Sequence, residues 1–263
     1  FDAMVHYQSR GWGSRSFRKY HRVTLSHGPI SEPFELSVFS HDSLWQSGLM
    51  EPGPAGRIVL ESKQPISNVS LAFNGPSPIF NHVSLDGMGG VAVDNVAMRG
   101  SSGYTFTFMD EGHFGNSLNA SNVGLVILQF GGNSIPHIDA ESKAKTYGRK
   151  IQRQIQLFKR LLPEADILLV GPSDMANKQG LDWVSYPFVT SVRDAMQQAA
   201  MAEGIVFFDL LALMGGAGSI AVWAAMDPPL AGPDHIHFTP SGARLVGKAL
   251  VKAIDNELAR HAH

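Results

Sequence analysis

The sequence predicts an α/β fold, a parallel sheet covered by helices on both faces, together with a small antiparallel β-sandwich nearer the N-terminus. Two observations lead to this prediction. After Gly89, continuous apolar runs alternate with helical stretches, as in βαβ units whose strands are buried on both faces. Before Gly89, short runs of period two are separated by glycine and proline turns, which is typical of small antiparallel sheets.

The first region contains five short runs with strand character. They lie at residues 22–25, 34–39, 57–60, 69–73 and 82–85. We assign residues 21–87 to the β-sandwich and residues 1–20 to a connecting segment. An irregular β extension of the main domain is the alternative interpretation.

The second region, residues 88–263, has the pattern of the parallel sheet. Its apolar strands are predicted at residues 123–130, 167–170 and 205–208, and its helices at residues 140–162, 188–203 and 240–260. Chemistry in such sheets is expected at the carboxyl ends of the strands.

The composition limits the classes of function. The 263 residues are 44% hydrophobic and carry a formal net charge of -2, which gives no electrostatic reason to expect a nucleic-acid or membrane-surface partner. No cysteine is present, so disulfides, thiolate metal sites and a cysteine nucleophile are excluded. The absence of cysteine fits the periplasmic or secreted location that we expect, although cytosolic chains can also lack cysteine. No apolar run reaches transmembrane length. Because Phe1-Asp2-Ala3-Met4 is neither a signal peptide nor a natural start, we expect the chain to begin inside a longer polypeptide.

An Asp-x-x-His motif near the C-terminus is suited to general base catalysis. Asp234 precedes His237 by three residues in a loop that opens a helix, and a carboxylate so placed can fix the tautomer of the imidazole. Thr239 and Pro240 supply an N-cap and a first-turn proline for that helix. The alternative is an incidental pair of surface residues.

Two other strand ends offer hydrogen-bond donors. Gly131-Gly132-Asn133 follows the most apolar strand, and an Asn amide there can donate to an oxyanion. A strand-like run from Val91 leads to a glycine-flanked loop in which the backbone N–H of Gly100 could do the same. Each segment in isolation could equally be an ordinary loop.

Taken together, these segments resemble the SGNH (GDSL-like) hydrolase superfamily. Its members have a Gly-Asp-Ser block, a Gly block, a Gly-x-Asn block and an Asp-x-x-His block. The last three are matched in order by Gly100, Gly131-Gly132-Asn133 and Asp234-His235-Ile236-His237. The resemblance covers roughly residues 86–260.

The resemblance implies a flavodoxin-like three-layer parallel sheet and a role for each matched residue. His237 would be the general base and Asp234 its orienting partner, and the oxyanion hole would be formed by the Gly100 N–H and the Asn133 side chain. His235 is interpreted as a loop residue. No cofactor is implied. Some members carry a carbohydrate-binding-like β-sandwich between the first and second blocks, which is the arrangement we expect here.

The family's first strand and nucleophilic serine have no counterpart, because Gly-Asp-Ser does not occur in the chain. Ser43 in Ser40-His41-Asp42-Ser43 is a weak candidate, since glycines and prolines prevent a helix from following it. Ser101 and Ser102, beside Gly100, are no stronger. We therefore expect the Gly-Asp-Ser block upstream of Phe1, on a segment that completes the sheet.

The function implied is that of a serine esterase, a carboxylic ester hydrolase acting on small acyl groups. O-acetyl esters of a carbohydrate or of peptidoglycan are the expected substrates. Two other classes stay open: a catalytically inactive domain retained for carbohydrate binding or scaffolding, and an α/β enzyme of another chemistry such as phosphoryl transfer. The latter is disfavoured because no complete phosphate loop ending in Gly-Lys-Ser/Thr occurs. The 11 histidines include no His-x-x-x-His pair, so no metal site is expected.

Overall fold

A computed structural model of the chain describes residues 2–8, 19–76 and 79–261. The chain divides into two compact units, Phe1–Val96 and Ala97–His263. No helix among the described residues has the length and apolar character needed to cross a membrane.

The first unit is built of antiparallel strands. In chain order they are β1 (Asp2–Gln8), β2 (Tyr20–His27), β3 (Phe34–Ser40), β4 (Ser43–Met50), β5 (Gly56–Ile66), β6 (Asn68–Asn74) and β7 (Phe80–Asp86). They form a four-stranded sheet in the order β1-β6-β3-β4 and a three-stranded sheet in the order β5-β2-β7. Alternate side chains of both sheets, among them Val23, Leu36 and Leu71, are buried in one apolar cluster.

All five predicted strands of this unit lie within observed ones, but β1 and β4 were not predicted. β1 lies within residues assigned to a connecting segment, and its side chains are mostly exposed, so it has no clear apolar alternation. β4 follows a two-residue turn in which His41 and Asp42 have positive φ angles of 48° and 62°. Such a turn joins two antiparallel strands directly.

The second unit alternates helices and strands. In chain order they are α1 (Glu111–Ala120), β8 (Leu125–Gln129), α2 (Glu141–Leu161), β9 (Asp166–Val170), β10 (Ala176–Gln179), β11 (Asp182–Ser185), α3 (Val189–Glu203), β12 (Val206–Phe208), α4 (Leu210–Met214), α5 (Ser219–Ala224) and α6 (Pro240–His261). Strands β12, β9 and β8 form a parallel sheet in that order, and β10 and β11 form a separate antiparallel hairpin.

Helices cover both faces of the parallel sheet at its middle strand, β9. Leu169 belongs to a buried cluster with residues of α2 and α3, whereas Leu168 and Val170 belong to a second cluster with residues of α4, α5 and α6. This confirms the predicted three-layer arrangement. The predicted helices in residues 140–162, 188–203 and 240–260 are confirmed as α2, α3 and α6.

Strand β8 is incompletely covered. Within the described residues it pairs with β9 alone, so its other edge has no ladder partner. Ile127 lies opposite Leu168 in the register and points to the same face, yet Leu125 and Ile127 are 39% and 42% exposed. An apolar parallel strand that is open at one edge and on one face is unusual, because parallel sheets are normally buried.

The strand-like run that begins at Val91 is not a strand. Residues 91–98 have no regular secondary structure, and Val91 and Val93 are 93% and 85% exposed. β-branched residues favour an extended backbone, but a strand also needs a neighbour for its N–H and C=O groups.

Two helical glycines provide a test of the packing between α2 and α3. A Cβ at Gly148 would lie 2.8 Å from the Ala195 carbonyl oxygen, so Gly148→Ala should lower the free energy of unfolding by about 1–3 kcal/mol through overpacking. A Cβ at Gly247 in α6 meets nothing within 4 Å. Gly247→Ala should therefore raise the free energy of unfolding by up to about 1 kcal/mol, because alanine has a higher helix propensity than glycine. Urea unfolding of both variants measures these two changes. If both variants changed the free energy of unfolding equally and in the same direction, the close packing of α2 on α3 at Gly148 would be contradicted.

Candidate active site

The loop before α6 brings Asp234 and His237 together. A bridge between Ala231 and Phe238 closes this loop, and the Gly232 N–H donates to the His237 carbonyl oxygen at 2.7 Å. At the start of α6, Thr239 Oγ1 accepts the Gly242 N–H at 3.2 Å, which confirms the predicted N-cap.

Asp234 forms three hydrogen bonds, one to the His237 ring and two to the backbone beside it. Its Oδ2 lies 2.6 Å from His237 Nδ1, and its Oδ1 accepts the backbone N–H groups of Ile236 and His237, each at 3.1 Å. These bonds, the one from the His237 side chain foremost, lower the pKa of Asp234 to about 2. Because an ionised carboxylate can only accept, the proton lies on Nδ1 of His237.

The second ring nitrogen of His237 is therefore free to act as a base. With the proton on Nδ1, the neutral imidazole has its lone pair on Nε2. The His237 side chain is 81% exposed, and no described residue forms a hydrogen bond to Nε2. This is the arrangement that a general base requires before its hydroxyl partner is in place.

The loop after β8 and the loop around Gly100 contact each other. Asn133 Nδ2 donates to the Ser101 carbonyl oxygen at 3.1 Å, which leaves its second amide hydrogen available. Gly100 has φ of +77° in a turn closed by the Ser101 N–H and the Met98 carbonyl oxygen. Its N–H has no acceptor among the described residues. Both predicted oxyanion donors thus belong to one pair of loops.

Close packing holds these two loops in place. At Gly103, φ is +87°, and a Cβ would lie 2.3 Å from the ring of Phe130, so only glycine fits. Tyr147 of α2, which is buried, donates from its hydroxyl to the Ser102 carbonyl oxygen at 2.7 Å. The donors are therefore positioned by a rigid surface rather than by a free loop.

One apolar cluster anchors all three segments. Met98 before Gly100, Phe130 before Asn133 and Ile236 beside His237 each pack against the core formed with α2 and α3. The Asp234–His237 pair and the two donors therefore lie on the same core.

The loop after β9 ties the β10–β11 hairpin to α5. Asp174, fully buried, accepts hydrogen bonds from the Ser185 hydroxyl at 3.0 Å and from the Ile220 N–H at 2.9 Å. The Ala176 N–H donates to the His235 carbonyl oxygen at 3.0 Å, and the ring of Trp183 stacks on that of His235. Gly180 between two short alternating runs was the available signal for this hairpin.

A protein-family comparison identifies the chain. The model of the GDSL-like lipase/acylhydrolase family matches residues 75–245, which include Gly100, Asn133, Asp234 and His237. The chain belongs to this family. No curated protein sequence matches the chain significantly.

Two solved structures are similar to this GDSL-like protein. A peptidoglycan O-acetylesterase superposes with a TM-score of 0.63 at 20% identity, over 98% of this chain and 71% of that protein. A putative acylhydrolase from Bacteroides fragilis has a TM-score of 0.42 at 17% identity, over 60% and 72% of the two chains. The first likeness shows that the two proteins share a fold.

Ser43 and Ser101 of this GDSL-like protein each lie in a defined local structure. Ser43 is the first residue of β4, directly after a two-residue hairpin turn, and no helix follows it. Ser101 Oγ lies 3.1 Å from Thr105 Oγ1 and accepts the Gly103 N–H. Among the described residues of the second unit, no serine hydroxyl is hydrogen-bonded to His237.

A phosphate-loop spacing is present but lies in the wrong structure. Gly242, Gly247 and Lys248 have the spacing of a Gly-x-x-x-x-Gly-Lys motif, followed by Ala249 instead of Ser or Thr. All three residues belong to α6. The Gly242 N–H donates to Thr239 Oγ1, and Gly247 and Lys248 lie in the helix interior, so the three residues cannot form a loop around phosphate.

The Asp234 carboxylate should make stability depend on pH. Its folded-state pKa, about 2, is below the ordinary value of 3.8, so its contribution is complete above about pH 4 and is lost as the pH falls towards 2. Asp234→Asn should therefore lower the free energy of unfolding at pH 6, and the difference from the native protein should shrink by pH 3. Urea unfolding at both pH values checks this. Asp255→Asn, at an exposed carboxylate of α6, is the control, and a difference that is independent of pH would contradict the assignment.

Proposed function

We propose that the protein is a serine esterase that removes small acyl groups, chiefly O-acetyl, from a carbohydrate or from peptidoglycan. The observation that carries the proposal is the Asp234–His237 pair, whose proton lies on Nδ1 and whose Nε2 is exposed and unpartnered among the described residues. Membership of the GDSL-like lipase/acylhydrolase family supports the reaction class. The fold shared with a peptidoglycan O-acetylesterase suggests the substrate class.

In the proposed reaction, His237 Nε2 takes the proton of a serine hydroxyl as its oxygen attacks the ester carbonyl carbon. The oxyanion that forms accepts hydrogen bonds from the Gly100 N–H and from Asn133 Nδ2. The proton then passes from Nε2 to the sugar oxygen, which leaves as an alcohol. Water, activated by the same nitrogen, hydrolyses the acyl-enzyme. Asp234 stabilises the imidazolium throughout.

We propose that the nucleophilic serine is on a segment outside residues 1–263. Two features support this. Gly-Asp-Ser is absent from the sequence, and β8 has an unpaired edge, within the described residues, with Leu125 and Ile127 partly exposed beside it. A strand added at this edge would satisfy the free N–H and C=O groups of β8, and a helix following it could cover the two apolar side chains. The serine between them would then lie at the carboxyl edge of the sheet.

The proposal also implies a location and a role for the first unit. Peptidoglycan lies outside the cytoplasmic membrane, so the protein would be periplasmic or secreted, with which the lack of cysteine agrees. Residues 21–87 would be the carbohydrate-binding-like insert, helping to hold the glycan.

His237→Ala should abolish esterase activity. Loss of a general base lowers kcat by about 100- to 10,000-fold, and KM should change little because the ring does not bind the ground state. The assay is acetate release from O-acetylated peptidoglycan by a chain extended upstream of Phe1 with the proposed serine-bearing segment. His113→Ala, at an exposed histidine of α1, is the matched control and should keep full activity.

The same assay separates the alternatives. Unchanged activity in His237→Ala would rule out a mechanism in which His237 is the general base. If the extended chain has no activity but binds peptidoglycan, the inactive carbohydrate-binding domain is favoured instead.

A further inference from the structure

We propose that Trp183 and His235 are positioning residues that clamp the Asp234–His237 loop onto the β10–β11 hairpin and thereby hold His237 in its base-competent orientation. This inference rests on the proposed role of His237. Neither side chain is assigned a part in the reaction itself, and both act through the loop.

The loop is held at His235 by three contacts. The Trp183 and His235 rings stack with their centroids 4.0 Å apart and their planes 13° from parallel. The His235 carbonyl oxygen accepts the Ala176 N–H at 3.0 Å, and the His235 N–H donates to the Gly232 carbonyl oxygen at 3.0 Å. The hairpin thus supplies both the ring contact and a backbone hydrogen bond.

His235 needs such support because its backbone is strained. Its φ is +53°, a left-handed conformation that residues other than glycine rarely adopt. This left-handed residue turns the chain so that Asp234 Oδ1 receives the N–H groups of both Ile236 and His237. Relaxation of His235 to a negative φ would turn these N–H groups away and loosen the bond between Asp234 and His237.

The ring face, rather than its polar atoms, makes the contact. His235 Nδ1 is buried and has no hydrogen-bond partner in the described part of the chain. The side chain therefore does not hold the loop through a hydrogen bond at this atom. The His235 side chain instead holds the loop by stacking on the Trp183 ring.

The hairpin is itself fixed at its base, so it can serve as a rigid support. Asp174 binds Ser185 at the end of β11 and the first turn of α5. Ser185 Oγ in turn accepts the Gly218 N–H at 2.8 Å, and the Tyr186 N–H donates to the Met175 carbonyl oxygen at 3.0 Å. At the other end, the tip residue Leu181 is 93% exposed.

The test is the tautomer of His237, measured from the ¹⁵N chemical shifts of its two ring nitrogens at a pH where the ring is neutral. His237→Ala assigns the signals. In the native chain we expect the Nδ1–H tautomer. In Trp183→Ala and in His235→Asn, which tolerates positive φ but lacks the ring, we expect the Nε2–H tautomer to become the main form. Trp183→Phe, which keeps an aromatic face, and Leu181→Ala, at the hairpin tip, should stay native-like.

A double variant at Trp183 and His235 provides a second test of the clamp, because the effects of two residues that act on each other are not additive. If the two rings act only on each other, the double variant should perturb the tautomer no more than the more severe single variant. In an active chain, Trp183→Ala should lower kcat about tenfold with KM within about twofold, because the base is misplaced while substrate binding is kept.

Failure of the clamp can be distinguished from failure of the proposed function. A native tautomer in both Trp183→Ala and His235→Asn would overturn the clamp, and if Trp183→Ala does not fold, His235→Asn decides alone. If the tautomer responds as expected but the chain extended upstream has no esterase activity, the clamp would be supported and the proposed function contradicted.

Discussion

The parallel arrangement of β8, β9 and β12 is the constraint on which the rest of the second unit depends. Parallel strands deliver their carboxyl ends to one edge of the sheet, so the loops after β8 and β9 emerge on the same side. An edge alone does not fix a site, because loops are mobile unless they are anchored. Here Met98, Phe130 and Ile236 insert one apolar side chain from each site segment into the same core. The hydrophobic effect thus anchors three segments that are far apart in sequence to one core.

Several local interactions together determine the chemistry of His237. The Asp234 carboxylate, with its pKa near 2, remains ionised and accepts a hydrogen bond from the Nδ1–H of His237, which leaves Nε2 as the proton acceptor. The backbone turn at His235 makes this possible, and the stack on Trp183 and the Ala176 hydrogen bond support that turn. Residues in the hairpin thereby influence a proton on an atom they do not touch.

The parts predicted from the sequence are those with local signals. Asp234 and His237 are three residues apart, so their contact needs only a turn, and α2 and α6 follow from apolar periodicity. Helix α1 was missed because its glycines and asparagines have low helix propensity, and it is stabilised by Phe114 packing on Phe106 and Phe158. The Trp183–His235 stack and the Asn133–Ser101 hydrogen bond join residues distant in sequence, which no local pattern reveals. The run at Val91 has strand propensity without a ladder partner, so propensity alone gave the wrong structure there.

The open edge of β8 connects the fold to the proposed chemistry. Within the described residues, this edge has no ladder partner and His237 Nε2 has no hydrogen-bond partner. One segment that carries a serine could supply both. Fluorophosphonate labelling with mass mapping of the modified peptide tests this most directly, on residues 1–263 and on a chain extended upstream. We expect no label on residues 1–263 and a labelled serine in the upstream segment of the extended chain. A label on Ser43, Ser101 or Ser102 would contradict an upstream nucleophile.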